Sequence, residues 1–178
     1  MIGEIAMNIT LKKWNFHDKD SLVKMCNTID RTYLSNSLPY PYTHKDADFW
    51  LNKVEEHEGK NGIYRAIVMD ERVIGNISVI QASDVFYKDA EIGYMLLPEY
   101  ASQGIMSEAV KQICEIAFSQ LDILRITGLV FGPHIASRKV LEKNGFVLEG
   151  IKKKAVIKEK HIYDLNIYGL LNKNNKDE

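Results

Sequence analysis

The sequence predicts one mixed α/β (α+β) domain, a twisted central β-sheet flanked by helices, and three observations carry that prediction. At 178 residues the chain has single-domain length and can bury a substantial core. Segments with β-type alternation outnumber segments with helical spacing. A strand in "EIGYMLLPEY" (Glu91–Tyr100), a helix from Gln103 and a strand Arg125–Phe131 form a β-α-β unit, which requires at least one parallel strand pair. Residues 1–171 are read as this domain and 172–178, "NKNNKDE", as a solvated C-terminal tail.

Taken in order, Ile9–Trp14 alternates as a first strand. From Asp20 to about Leu34 a helix is expected, with Leu22, Val23, Met25, Cys26 and Ile29 on one face. "LPYPYT" then breaks structure, and Thr43 followed by Asp46 reads as an N-cap with a reciprocal carboxylate opening a helix to about Glu58. "GIYRAIVMD" and "RVIGNISVIQ" read as a hairpin turning across Asp70-Glu71, and "EIGYMLL" follows as a third strand of that kind. From Gln103 to Phe118, Ile105, Met106, Ala109, Val110, Ile113, Cys114, Ala117 and Phe118 keep one helical face apolar. "RITGLVF" is a strand, and "PHIASRKVLEKNG" a short helix with Pro133 near its first turn and Gly145 at its C-terminal cap. Two β segments around Lys158-Glu159-Lys160 close the order β-α-α-β-β-β-α-β-α-β-β.

Composition excludes several functions. Hydrophobic content is 46%, charged content 26%, and net charge −1 with a pI near 6.5, so nothing electrostatic points to nucleic acid. No apolar run is long enough to span a bilayer, and the first ten residues lack the pattern of a secretory signal. Cys26 and Cys114 form no C-x-x-C pair and fall on apolar helical faces, which points to buried free thiols and a cytoplasmic protein. No metal site is assigned.

The stretch "QGIMSEA" (Gln103–Ala109) raises the functional question. It reads as a plain turn, as a helix start capped by Ser102, or as a cradle of free N–H groups at a positive helix end where an anion binds. A nucleotide P-loop is excluded because no Gly-Lys-Ser/Thr follows, and a dinucleotide fingerprint because G-x-G-x-x-G is absent.

"EIGYMLLPEYASQGIMSEA" followed by "RITGLVFGPHIASRKVLEKNGFVLEG" resembles the GNAT superfamily of acyl-CoA-dependent N-acetyltransferases, in particular its RimJ/RimL-like branch. "LPYPYTHKDADFWL" and "YDLNIYGLL" resemble that branch too, so the likeness runs from about Ile9 to Leu171. It implies a GNAT fold in which strand Glu91–Leu97 splays from Arg125–Phe131, with acetyl-CoA as co-substrate in the gap. Leu96 and Leu97 would pair with the pantetheine arm, and the amides of Gln103, Gly104, Ile105, Met106 and Ser107 would hold the pyrophosphate. The chain departs from the family pattern at Ala101, Ser102 and Met106, and has His134 where the family has an Asn that bonds the pantetheine. Lys143 would meet the 3′-phosphate, while Lys139 reads as solvated surface.

The implied reaction is direct attack of a primary amine on the thioester. Ser137 matches a serine that could protonate the departing thiolate; the other reading is a serine facing the helix interior. Glu91 is the candidate base, since Thr127 stands where other members carry Glu on the next strand; the alternative is a charged strand-start residue without chemistry. The amide of Leu97 is the expected donor to the developing oxyanion. Tyr40 and Tyr42 would wall the acceptor site, or simply pack as a turn; Tyr94 is assigned only to lining. "IKKKAVIKEK" (Ile151–Lys160) reads as a lysine-protected strand edge. The acceptor is a protein N-terminus or a small amine, and a homodimer would fit the family. The rival reading is a non-catalytic acyl-CoA-binding sensor or interaction module on the same fold.

Overall fold

The computed structural model describes residues 8–173. The strands are β1 (Thr10–Lys13), β2 (Gly62–Met69), β3 (Arg72–Gln81), β4 (Asp89–Leu96), β5 (Arg125–Phe131), β6 (Val147–Lys158) and β7 (His161–Leu171). The helices are α1 (Lys19–Thr28), α2 (His44–His57), α3 (Ile105–Gln120) and α4 (Ile135–Lys143). Their order is the one that periodicity predicts. The seven strands form one sheet in the order β1-β2-β3-β4-β5-β7-β6. Every neighbouring pair is antiparallel except β4–β5, the pair joined through α3.

Local chemistry accounts for the joints. Thr43 and Asp46 form the reciprocal capping box at the start of α2. Asp70 and Glu71 take left-handed φ values of 48° and 63°, the geometry of a two-residue hairpin turn. Gly145 closes α4 at φ 81°. Helix α3 starts two residues later than expected, and its N-cap is Gly104 (φ 81°) rather than Ser102; no side chain caps it.

Helix α1 ends at Thr28, well short of Leu34. The Asp30 carboxylate captures the Thr32 amide at 2.9 Å, a local turn that competes with the helix. Arg31 then binds the carbonyls of Cys26, Leu38 and Pro39, and fixes residues 29–43 as a loop.

Helices α1 and α2 pack together over β2 and β3 on one face of the sheet. Helix α4 lies on the other: a Cβ on Gly128 would strike Leu141 of α4 at 2.6 Å. Helix α3 packs beside α4, and Asn144 donates to the carbonyl and hydroxyl of Ser107. The apolar face of α3, from Ile105 through Ala117, is buried against the sheet, each large side chain contributing about 1.5–3 kcal/mol. Strand β6 is one of the two edge strands and is largely exposed, as the lysine-rich sequence suggests, but Lys158 at its end is buried. Asn172, expected in a solvated tail, donates its amide to Leu124 O at 2.8 Å; residues 174–178 of that tail lie outside the described residues.

Candidate active site

The site follows from where β4 leaves β5. Their pairing runs from Asp89–Arg125 to Ile92–Gly128 and stops, although both strands continue. In an antiparallel ladder alternate residues point both backbone groups at the same neighbour. Leu97 N–H donates to Ile74 O of β3 at 2.8 Å, so the odd-numbered residues of this stretch face β3. Tyr94 and Leu96 therefore turn their backbone groups toward β5, where no strand pairs with them. The expectation for Leu96 agrees with this geometry. Leu97 does not: its amide is engaged, its side chain is buried, and it lines none of the cavities around the gap.

Three cavities adjoin the gap and share wall residues. The first, about 470 Å³, lies between α1, α2 and the sheet face carrying Asn76, Ser78, Gly93 and Met95. The second, about 430 Å³, runs between the end of β4 and α4, and includes Leu96, Met106, His134 and Ser137. The third, about 480 Å³, continues from it past Gly104–Ser107 to Lys139 and Lys143. Leu34, Tyr94 and Met95 belong to both the first and the second. Leu96, Ser102, Met106, Ala136 and Val140 join the second to the third.

The N–H groups of Ile105, Met106 and Ser107 lie in the first turn of α3 and have no intrahelical acceptor; the first such bond is Glu108 N–H to Gly104 O at 3.1 Å. Gly104, Ile105, Met106 and Ser107 line the third cavity, together with Lys143 and with Lys139, which the sequence reading leaves as surface. Gln103 does not line it: its side chain turns back to Glu99 O at 3.0 Å.

Across the second cavity, the Tyr94 hydroxyl lies 2.7 Å from Ser137 Oγ, and burial pushes the Tyr94 phenol up to about 12. Ser137 is 8% exposed. The hydroxyl of Tyr94 is the feature that sequence reasoning missed, because its partner lies on another element. His134 stacks on Tyr33 with ring centroids 4.6 Å apart, and burial holds its imidazole below the usual value against the pull of Asp30.

Glu91 is exposed, shares its sheet face with Gly93 and Met95 by the alternation of β4, and lines none of the three cavities. Its carboxyl is raised above the usual range by desolvation and by the Asp89 carboxylate. Asp89 accepts from Thr127 Oγ1 at 2.8 Å. Of the two tyrosines, Tyr42 is buried and lines the first cavity, whereas Tyr40 is 72% exposed, sits under the Arg31 guanidinium and lines none of them. No group of metal-ligating side chains occurs among the described residues.

The arrangement holds a strand edge with unpaired amides, an uncapped helix start beside two lysines, and a Tyr94–Ser137 hydroxyl pair on the α4 side of the sheet. Comparison with known proteins identifies the family. The chain is 40% identical over 106 residues to YjcK of Bacillus subtilis (strain 168), named a probable N-acetyltransferase, covering 60% of this chain and 56% of YjcK. It is 30% identical over 175 residues to the uncharacterized N-acetyltransferase YnaD of the same organism, covering 93% of this chain and 97% of YnaD. In fold it is similar to RimL, a ribosomal L7/L12 alpha-N-protein acetyltransferase solved with coenzyme A, at a TM-score of 0.81 and 21% identity over 92% of this chain and 93% of that one. Residues 8–147 match the family model of the acetyltransferase (GNAT) domain, and the chain belongs to that family.

Proposed function

We propose that the chain transfers an acetyl group from acetyl-CoA to a primary amine by direct attack. The observation that carries this reading is the set of three adjoining cavities, sharing wall residues, that lie along the unpaired end of β4 from the α1–α2 side to the start of α3. The residues present fit the co-substrate. The unpaired backbone of Tyr94 and Leu96 suits an amide-bearing arm, and the free amides of Gly104–Ser107 with Lys139 and Lys143 suit its phosphates. Acetyl-CoA, when bound, supplies an activated thioester.

The chain's own groups do the rest. The backbone N–H groups facing the gap hold the acyl oxygen. Ser137 stands at the α4 wall to give a proton to the leaving sulfur, and Tyr42 closes the amine's cavity from α2's side. The amine enters neutral, which an α-amino group with a pKa near ~8 reaches more readily than a lysine-type amine near ~10.4. The first cavity favours an acceptor without a second cation: its one carboxylate, Asp46, is committed to the Thr43 cap. A protein N-terminus, the class in RimL's name, meets that condition better than a polyamine does.

No helix among the described residues is long and apolar enough to cross a membrane. Burial pushes both thiols, Cys26 and Cys114, up to about 12. Unpaired buried thiols support placing the protein in the cytoplasm, and a homodimer is part of the same proposal, checked by sedimentation.

Calorimetric titration with acetyl-CoA, followed by acetyl transfer to a peptide α-amine and to a polyamine, tests the function. Saturable binding near one site per chain and turnover of the peptide are expected. Absence of binding overturns the reading.

A further inference from the structure

The α1–α2 cavity, which the reading above gives to the acceptor amine, has Asn76 and Ser78 of β3 and Gly93 and Met95 of β4 on its sheet side. Asn76 is 8% exposed and lines this cavity and neither of the other two. Trp14 Nε1–H donates to its Oδ1 at 2.9 Å. An indole N–H only donates, so the atom it meets is the amide oxygen and the NH2 group turns the other way. Among the described residues no acceptor meets that NH2. It is not sealed in either, because Arg31 Nε is the one fully enclosed side-chain nitrogen or oxygen among them without a partner. Trp14 is itself buried and packs edge-on against Trp50 of the cavity wall, with ring centroids 5.4 Å apart, so the amide is held in this orientation.

We propose that Asn76, oriented by Trp14, is a specificity-determining residue whose side-chain NH2 donates to the carbonyl oxygen on the carbon beside the attacking amine. The acceptor is then an α-amino carbonyl compound, the first residue of a polypeptide. The inference rests on the acetyl-transfer reading and deepens it. In the register of β3 against β4, Asn76 stands opposite Met95, the residue between Tyr94 and Leu96, whose backbone groups turn to the unpaired side. An acceptor lying across Met95 has its amine toward the gap and its carbonyl toward β3. Gly93 leaves room beside it: a Cβ there would meet no atom beyond its chain neighbours nearer than Ser78 Oγ, at 4.0 Å. An alkyl amine or polyamine carries no oxygen at that place and leaves a largely buried donor unpaired, which costs it affinity. Asn76 moves no proton and makes no bond to the acetyl group; it selects.

The test compares a peptide bearing a free α-amine with the same peptide whose first amide is replaced by a trans-alkene, which keeps the shape and the amine but has no carbonyl oxygen. The kcat/KM for each, referred to the neutral amine, is read in wild type, Asn76→Ala and Asn76→Asp, together with acetyl-CoA affinity. An ionised aspartate still accepts from Trp14 but has no proton to donate. Wild type is expected to prefer the peptide roughly tenfold, and each variant to lose roughly that factor on the peptide and little on the alkene, with acetyl-CoA affinity unchanged. A role in the fold alone would lower both substrates together. Equal kcat/KM for the two substrates in wild type, variants that lower both alike, or variants that lower neither would overturn the inference and leave acetyl transfer standing. The wild-type comparison decides even where a variant fails to fold. A wild-type protein that binds no acetyl-CoA and acetylates neither substrate would overturn the acetyl-transfer reading itself.

Discussion

Leu97 donates its backbone N–H to Ile74 O across 2.8 Å, and this bond fixes which amides of β4 face the gap. By the alternation of the ladder, the backbone groups of Tyr94 and Leu96 turn to the unpaired side of β4 while the Leu97 amide does not. Amide hydrogen exchange followed by NMR should show Tyr94 and Leu96 exchanging readily in the free protein and slowing when acetyl-CoA is added. Leu97 should be protected in both states. Fast exchange at Leu97 that slows on binding would mean the strand turns its other edge to the ligand.

A second prediction concerns the turn before α3. Gly104 sits at φ 81° and Ser102 at φ 60°, so two left-handed residues aim the helix start at the third cavity. A side chain in that region costs about 1–2 kcal/mol, more when β-branched. Relief of that strain in Gly104→Val moves the helix start away from the third cavity, so the variant should be less stable and should bind acetyl-CoA about tenfold or more weakly by calorimetry. Ser102→Gly relieves strain in the same turn and should bind at least as tightly as wild type. Equal affinity in Gly104→Val would separate the phosphate site from this turn.

Much of the architecture is legible in the sequence because it is local. Period and turn residues give the element order, and the Thr43–Asp46 box and the Asp70-Glu71 turn are complete within a few residues. What escapes depends on distant partners. Helix α1 stops at a local Asp30–Thr32 turn, but the loop beyond it is held by Arg31 bonds to Leu38 and Pro39 that helical spacing does not reveal. Tyr94 reads as mere lining because Ser137 lies 43 residues away on α4. The status of Leu97 is set by register against β3, which no spacing within β4 reveals. Tyr40 and Tyr42 look equivalent in "PYPYT", yet packing buries one and leaves the other outside.

Glu91 gives a prediction about stability and pH. Desolvation and Asp89 raise its carboxyl above the usual range, so the folded protein holds that proton more tightly than the unfolded chain. Below the ordinary carboxylate range both states are protonated and the residue costs nothing. As pH rises through the unfolded and then the folded pKa, the charged form costs stability, and the cost persists above. Glu91→Gln should thus be more stable than wild type near neutral pH, with the difference vanishing in acid. Denaturant unfolding across pH measures it; a variant less stable at neutral pH would show that the carboxylate makes a favourable contact.

The last prediction joins a buried cation to substrate selection. Lys158 closes β6, is 8% exposed, and donates to Leu34 O at 2.8 Å and Asn36 Oδ1 at 2.9 Å. Among the described residues no carboxylate pairs with it. A buried ammonium held by neutral oxygens is costly to desolvate, so its bonds fix the loop only while both acceptors stay in place. Leu34 lines both the α1–α2 cavity and the α4 cavity, and Ser35 and Ser37 line the first. Lys158→Met keeps the apolar stem and removes both bonds. Loss of stability of about 1–3 kcal/mol is expected from two bonds to a charged donor. The amine KM should rise more than the acetyl-CoA dissociation constant, because the α3 start proposed for the phosphates makes no hydrogen bond to this loop. A variant that loses stability while both constants stay at their wild-type values would make Lys158 a fastening of the fold alone, and would detach the loop from the choice of amine.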